Sequence, residues 1–385
     1  KRTPFGAFGG KLRDLTATEL GAHASKAALA SLPAGTAVDS VIFGNVLQTS
    51  TDAPYLARHV GLRVGLPVEV PALTVNRLCG SGFQAAINAV HEIRLGEAEV
   101  VLTGGTESMS QAPYALRGAR WGTRYGVDQK LEDTLAASLV DRYPTECPMG
   151  VTAENLGGKY GITRQECDQY ALESQQRYAK AREAGLFGDE IAAVEIKTRK
   201  GTESVGIDEH PRASTTIESL AKLPAVFKKP DGLVSAGNAS GICDGAAAVV
   251  VASGEAVSKY NLKPLARIVS YQVSGVEPTI MGIGPVPAIK GALARANLSL
   301  KDMSLVEVNE AFAAQYLAVE RELGLDRAIT NANGGAISVG HPLAASGSRI
   351  LAHLTHELRR QGKQFAIGSA CIGGGQGIAV ILENV

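Results

Sequence analysis

The stretch SGFQAAINAVHEIRLGEAEVVLTGG (81–105) returns in outline as SGSRILAHLTHELRRQGKQFAIGSAC (346–371). Ser81 and Gly82 match Ser346 and Gly347, and His91, Glu92 and Arg94 match His356, Glu357 and Arg359, all 265 positions apart. A one-residue insertion then aligns VVLTGG with AIGSAC. Upstream, VDSVIFGNVL (38–47) matches MSLVEVNEAF (303–312) at an offset of 264 or 265, with Asn45 opposite Asn309. Any two helix–strand units share some texture, but three segments in order at one offset read as a duplication. Short Val/Ile-rich runs alternate with amphipathic segments, the pattern of buried strands between helices in an α/β fold. A chain of 385 residues can build two or three units with substantial cores. We therefore expect two related halves, 1–115 and 255–385, separated by residues 116–254, which hold an inserted loop domain and the return strand of the first half.

The insertion has a different texture. SQAPYALRGARWGTRYG (110–126) is aromatic and basic without strand periodicity, and LPAVFKKPDGLVSAGNASGICDG (223–245) is a Gly/Asn/Ser-rich return loop. Between them, residues 162–187 predict a long amphipathic helix opened by a capping box at Thr163 and Glu166. An insertion between duplicated halves usually covers or completes a site at their junction.

Composition narrows the function classes. Lys+Arg and Asp+Glu are both 38, with no basic stripe, which argues against nucleic acid as the main partner while leaving room for a small anionic ligand. No run of about 18 apolar residues predicts a membrane span. Cys79, Cys147, Cys167, Cys243 and Cys371 are odd in number, widely spaced and never CxxC, and the seven His residues form no HExxH. A disulfide framework and a metal site therefore have little support, and a reducing compartment fits better. The opening KRTPFGAFGG has no apolar core of a signal peptide, so none is expected, and a strand upstream of Lys1 is expected to lie outside this sequence.

Four stretches carry chemistry. In NRLCGSGFQ (76–84), Phe83, Ala86, Ile87, Val90 and Ile93 fall on one helical face, which puts Cys79 at the helix start. Free N–H groups and the positive dipole end there would stabilise a thiolate. A buried structural cysteine fits the local sequence equally well. His341, in NGGAISVGHPLAASGSRI (333–350), lies at the corresponding junction of the second copy, five residues before the shared Ser-Gly pair, where Cys79 lies two before it. Pseudo-twofold halves would bring both helix starts to one cleft, as a Cys–His pair needs. Cys371 ends a buried strand and precedes Gly373, Gly374 and Gly375, which permit positive φ and close approach of a ligand. A second thiol beside exposed amides can act as acid or base next to an oxyanion hole. Asn309, in VEVNEAFAAQ, follows a strand; an N-cap is as good a reading as a functional one.

NRLCGSG, NEAF, GHP…SG and CIGGGQG, in this order, with GGTESMS, TAENL, SAGNASG and MGIGP, resemble the thiolase family over nearly the whole chain. The resemblance is greatest to its mitochondrial branch, through LARHVGLRVG and LVEVNEAFA. It implies an α/β thiolase fold with two βαβαβαββ-type halves in five α/β/α/β/α layers and an inserted loop domain.

It also implies roles. Cys79 would be the acylated nucleophile, His341 the group that takes its proton, and Cys371 the acid/base at the acetyl-CoA carbon. One oxyanion hole would use His341 and a water held by Asn309, the other the N–H groups of Cys79 and Gly373. No cofactor is implied, coenzyme A being a substrate. Ser240, Ala236 and Phe227 would meet its pantetheine and Arg212 its adenine side. Met281, Phe312 and Met149 would line the pocket, although core packing accounts for Met281 and Phe312 as well. The activity implied is reversible, CoA-dependent thiolysis of a 3-oxoacyl-CoA, or the reverse Claisen condensation, in fatty acid β-oxidation. A homo-oligomer, dimer or dimer of dimers, is implied through segments such as RGARWGTRYG. The implied setting is the mitochondrial matrix, with bacterial cytoplasm the alternative.

Two departures stand out. Ala344 occupies a position where the family usually has Gly, and would be strained if that backbone needed positive φ. Pro148 precedes Met149 where His is frequent. The rival readings are a β-ketoacyl synthase-like condensing enzyme, a non-catalytic CoA- or lipid-binding carrier, and a structural protein with a redox-sensing thiol.

Overall fold

The computed structural model describes residues 1–199 and 201–385. The first half comprises β1 (Gly6–Ala7), α1 (Ala17–Leu29), β2 (Ser40–Gly44), α2 (Leu56–Arg63), β3 (Ala72–Val75), α3 (Ser81–Leu95), β4 (Val100–Ser108) and, after the insertion, β5 (Cys243–Ala252). These strands form one mixed sheet in the order β1-β5-β4-β2-β3. The second half runs β6 (Ala266–Gly275), α6 (Pro285–Ala296), β7 (Leu305–Val308), α7 (Ala313–Leu323), the short α8 (Ala336–Val339), α9 (Ala345–Gln361), β8 (Phe365–Ile372) and β9 (Gln376–Asn384), with sheet order β6-β9-β8-β7. Where the first half has β3, the second keeps one parallel bridge between Val306 and Thr330.

The two sheets sandwich a central helical layer. α3 and α9 pack against both sheets, α1 and α2 cover the outer face of the first, and α6 covers that of the second. That is the five-layer order the resemblance implied. Each layer junction is apolar because the central strands, β2, β4, β7, β8 and β9, are buried on both faces along nearly their whole length. Leu20 and Ala24 meet Val41, Phe43 and Leu102 on one side; Phe83, Ile350 and Leu354 meet Ala370, Ile372 and Val380 in the middle; Ile289 and Leu293 meet Val308, Ile367 and Ile381 on the other. Burying one such aliphatic side chain contributes about 1.5–3 kcal/mol.

The duplicated Ser-Gly pair marks where α3 crosses α9. A Cβ on Gly82 would lie 2.5 Å from the Ser348 amide nitrogen, and one on Gly347 2.4 Å from that of Phe83. Only glycine lets the two backbones touch, and it does so reciprocally, as a pseudo-twofold axis requires. The strands correct one sequence expectation. Gly44 pairs with Gly105 across β2 and β4, and Val308 with Ser369 across β7 and β8, both 61 residues apart. Equal stagger means one offset, 264 or 265, serves both strand pairs. The extra residue inserted to match VVLTGG with AIGSAC is therefore not there.

Within the insertion, α4 (Met149–Tyr160) leads to α5 (Arg164–Glu183), which opens with the capping box expected at Thr163 and Glu166. α5 packs against α7 and α8 of the second half. The aromatic-basic segment before it forms a small exposed hairpin, Tyr114–Leu116 with Leu131–Asp133. No helix among the described residues is long and apolar enough to cross a membrane.

Candidate active site

Cys79 sits in one tight 3₁₀ turn, Leu78–Gly80, that feeds directly into α3. Leu78 has φ +46°, a left-handed conformation that costs a residue with a Cβ about 1–3 kcal/mol. Side chains hold it there: Asn76 Oδ1 accepts from the Leu78 amide at 2.9 Å, and Ser81 Oγ donates to the Leu78 carbonyl at 2.7 Å while accepting from Arg77 N. Arg77 is tied across the layers to Gln84 and Gln376.

The helix start does not make a resting thiolate. Desolvation dominates and pushes the Cys79 thiol up to about 11, against the downward pull of the Gly373 and Cys79 amides, with the Glu107 charge adding to the rise. Cys371, at the end of β8, is fully buried. Burial, then the neighbouring Cys79 charge, holds its thiol still further above the ordinary range. Gly373 follows; it is Gly374 and Gly375, at φ +77° and +79°, that take the left-handed turn into β9. Gly373 instead offers its amide to Cys79 and lies against Leu78 and Met149.

His341 stands between α8 and α9, its amide donating to the Gly241 carbonyl at 2.9 Å. Gly340 before it has φ +101°, and a Cβ there would lie 2.6 Å from Cys243 Sγ. Burial, then the Arg349 charge, lowers the imidazole to about 3, so it is neutral at physiological pH. His341 Nδ1 lies 2.6 Å from Ser346 Oγ, which also approaches the Pro342 carbonyl at 3.2 Å. A hydroxyl that donates to that carbonyl accepts from Nδ1–H, and that tautomer leaves Nε2 unprotonated. Leu343, two residues on, packs in the same small cluster as Cys79. Ala344 has φ −71° and ψ −25°, so the strain expected of an alanine there is absent.

Asn309 follows β7 and is buried, its amide bonded to the Ser369 carbonyl. α7 begins four residues later, so Asn309 is no N-cap. Its Nδ2 lies 3.5 and 3.4 Å from the two ring nitrogens of His341, packed against the ring, and its buried Oδ1 accepts from no protein group. The adjacent Glu310 takes Tyr170, Ser174, Asn331 and the Ile337 amide on its two oxygens. It thereby ties the Asn309 turn to α5 and to α8.

Of the remaining expected contacts, Met281 is buried with Ala311 and Cys371, and Met149 and Phe312 pack on that cluster. Ser240 reaches it through the backbone: its amide donates to Ala311, and Ala239 bridges Phe312. Arg212, Phe227 and Ala236 lie farther out and are exposed, Phe227 covering Gly150 and Arg212 held at its amide by Gln175. Among the described residues no cluster of three or more His, Cys, Asp or Glu is arranged to hold a metal ion.

Sequence reasoning missed Glu107, Glu310 and Ser346 as members of this site. Glu107 lay in GGTESMS and Glu310 in NEAF, both quoted as motifs. The available signal was a carboxylate at the end of a strand otherwise built to be buried.

Two thiols, a neutral imidazole and an amide side chain thus stand at the junction of the duplicated halves, a set with the chemistry that covalent acyl transfer calls for. Family models for the thiolase N-terminal and C-terminal domains match residues 1–255 and 262–384. Human mitochondrial 3-ketoacyl-CoA thiolase is 65% identical over 385 residues, 100% of this chain and 96% of that protein. An acetyl-CoA acetyltransferase of Pseudomonas aeruginosa is 49% identical over 100% of this chain and 97% of its own. The crystal structure of the human mitochondrial enzyme in complex with CoA superposes with a TM-score of 0.96 at 64% identity, covering 100% and 96% of the two chains. The chain belongs to the thiolase family.

Proposed function

We propose that the protein cleaves 3-oxoacyl-CoA with CoA to acetyl-CoA and a shortened acyl-CoA, reversibly, as a thiolase of fatty acid β-oxidation. The observation that carries the reading is the state of the four groups: two thiols kept protonated, one imidazole kept neutral, and one unpartnered amide oxygen. A neutral thiol beside a neutral imidazole is activated only when a proton moves, so His341 Nε2 takes the Cys79 proton as the sulfur attacks the 3-keto carbon. The 3-keto oxygen, now an oxyanion on the carbon bonded to Cys79, accepts from the amides of Cys79 and Gly373. The imidazolium Nε2–H, together with a water held by Asn309, donates to the thioester oxygen of acetyl-CoA as it takes on enolate charge.

The Cα–Cβ bond breaks, and the Cys371 thiol gives its proton to the acetyl-CoA carbanion. Burial suits a thiol to that step because it keeps the proton on sulfur until a stronger base arrives. The Cys371 thiolate takes the proton of the CoA thiol as that sulfur attacks the acyl-Cys79 thioester, and His341 returns its proton to the departing Cys79 sulfur. The oxyanion again meets the amides of Cys79 and Gly373; each hole contributes a few kcal/mol. Ser240, Met281, Phe312 and Met149 line the way in, with Arg212, Phe227 and Ala236 outside them towards the nucleotide. Residues 1–115 then bring the nucleophile, 255–385 the base and second thiol, and 116–254 the CoA contacts.

The test is turnover of acetoacetyl-CoA and CoA to acetyl-CoA, followed by a series of 3-oxoacyl-CoAs from C4 to C16. No acetyl-CoA from any of them would reject the reading, while CoA binding without transfer would favour a carrier, and condensation without cleavage a condensing enzyme. A mitochondrial matrix setting follows the name of the human relative, bacterial cytoplasm being the alternative. We also infer a homo-oligomer: β3 is an open sheet edge bearing the half-exposed Leu73, and Trp121 and Tyr125 stand out on the inserted hairpin. Light scattering at the mass of one chain would overturn it.

A further inference from the structure

Glu107 is fully buried at the end of β4, where desolvation pushes its carboxyl up to about 7 against the downward pull of the Leu47, Ala344 and Val46 amides. Its two oxygens are surrounded by neutral N–H donors. Oε1 accepts from Leu47 N at 2.9 Å and Asn45 Nδ2 at 3.2 Å; Oε2 accepts from Ala344 N at 3.1 Å and Val46 N at 3.3 Å. Four convergent donors around one carboxylate make an anion cradle that the chain fills for itself.

The position of that cradle is informative. Ala344 stands two residues before Ser346-Gly347, as Cys79 stands two before Ser81-Gly82. It is the repeat counterpart of the nucleophile. One copy of this helix-start amide is free for a substrate oxygen; in the other copy the Glu107 carboxylate occupies it. Ala344 also closes the turn that begins at His341. The turn is thus fastened at one end by His341 N on the Gly241 carbonyl and at the other by Glu107. The same carboxylate grips Val46 and Leu47, which pack with Leu343 beside Cys79.

We propose that Glu107 is a positioning residue: its carboxylate acts as a built-in anion that locks the His341–Ala344 turn, and with it the imidazole, against the Asn45–Leu47 loop of the other half. The proposal rests on the reading of His341 as the base. Glutamine cannot replace Glu107, because its NH₂ would have to face two of the N–H donors. Alanine leaves the Val46, Leu47 and Ala344 amides without that acceptor, while Asn45 Nδ2 keeps the Thr106 carbonyl, and opens a space that a small carboxylate fits.

The experiment is thiolysis of acetoacetyl-CoA by the full chain carrying Glu107→Ala, with and without added sodium formate. Kcat is expected to fall about 100-fold, the scale of a misplaced catalytic group, with KM for CoA changed less than about threefold. Formate is expected to restore at least about tenfold of the loss by occupying the cradle, and sodium chloride at equal ionic strength to restore nothing. A full rate in Glu107→Ala, or a loss that formate leaves untouched, overturns the proposal. Should that variant fail to fold, Glu107→Gln takes its place: kcat, measured at a temperature where the variant is fully folded, must fall, and an unchanged kcat overturns the proposal. His341→Ala is run beside them. Normal turnover there removes the base assignment, whereas a dead His341 variant beside a fully active Glu107 variant removes only the present proposal.

Discussion

Cys79→Ala is expected to lower thiolysis of acetoacetyl-CoA by at least about 10³-fold, because the reaction then has no covalent path and retains only binding and oxyanion contacts. That is a loss of about 4 kcal/mol of transition-state stabilisation or more. The variant should still fold and bind CoA, since Cys79 keeps an opening to solvent and packs in a small cluster at the edge of the core. Retained turnover would remove the nucleophile assignment. The parent protein offers a complementary measurement through its raised thiol pKa, about 11. The thiolate fraction, and with it alkylation of Cys79 by iodoacetamide, should climb about tenfold per pH unit from pH 7 to 9.5. A plateau near pH 6–7 would instead reveal a preformed thiolate–imidazolium pair and contradict the neutral resting state.

The second large effect separates the two thiols. Cys371→Ser should still form the acyl-enzyme at Cys79, visible by mass spectrometry after a brief exposure to acetyl-CoA. Exchange of the acetyl methyl protons in deuterated water should fall by about 10²–10⁴-fold, the usual worth of a positioned acid/base. Serine is close in size, so the packing of Met281 and Ala311 around it is nearly preserved. The substitution changes mainly the acidity of the group facing the carbon. Normal exchange would reject the acid/base role, and loss of acylation itself would mean that Cys371 acts earlier than proposed.

The duplication was legible because it is written in residues that must be small or polar for packing reasons. Ser81-Gly82 and Ser346-Gly347 recur because both helices need a bare backbone at their crossing. The buried strands were legible from their unbroken apolar runs. Exact strand alignment was not: register belongs to the ladder, and the constant stagger between β2–β4 and β7–β8 cannot be seen in one sequence. The titration state of Cys79 was misread for a related reason. A helix start is visible locally, but the desolvation that outweighs it comes from segments distant in the chain. Likewise, whether Asn309 capped a helix depended on where α7 begins, and Ser346 could be matched as a repeat marker without revealing that its hydroxyl lies on Nδ1 of His341.

The sheet of the first half closes only when β5 lies down beside β4, with Gly105 facing Ala247 and Val100 facing Ala252. All of residues 109–242 lie between the two strands. Such pairing raises contact order, and folding rates fall steeply as contact order rises. During synthesis, β4 has an open ladder edge until residue 252 has left the ribosome, and an apolar open edge is a template for pairing with another chain. The same long detour that carries the covering segment over the site therefore makes the newborn N-terminal half dependent on protection before it can fold.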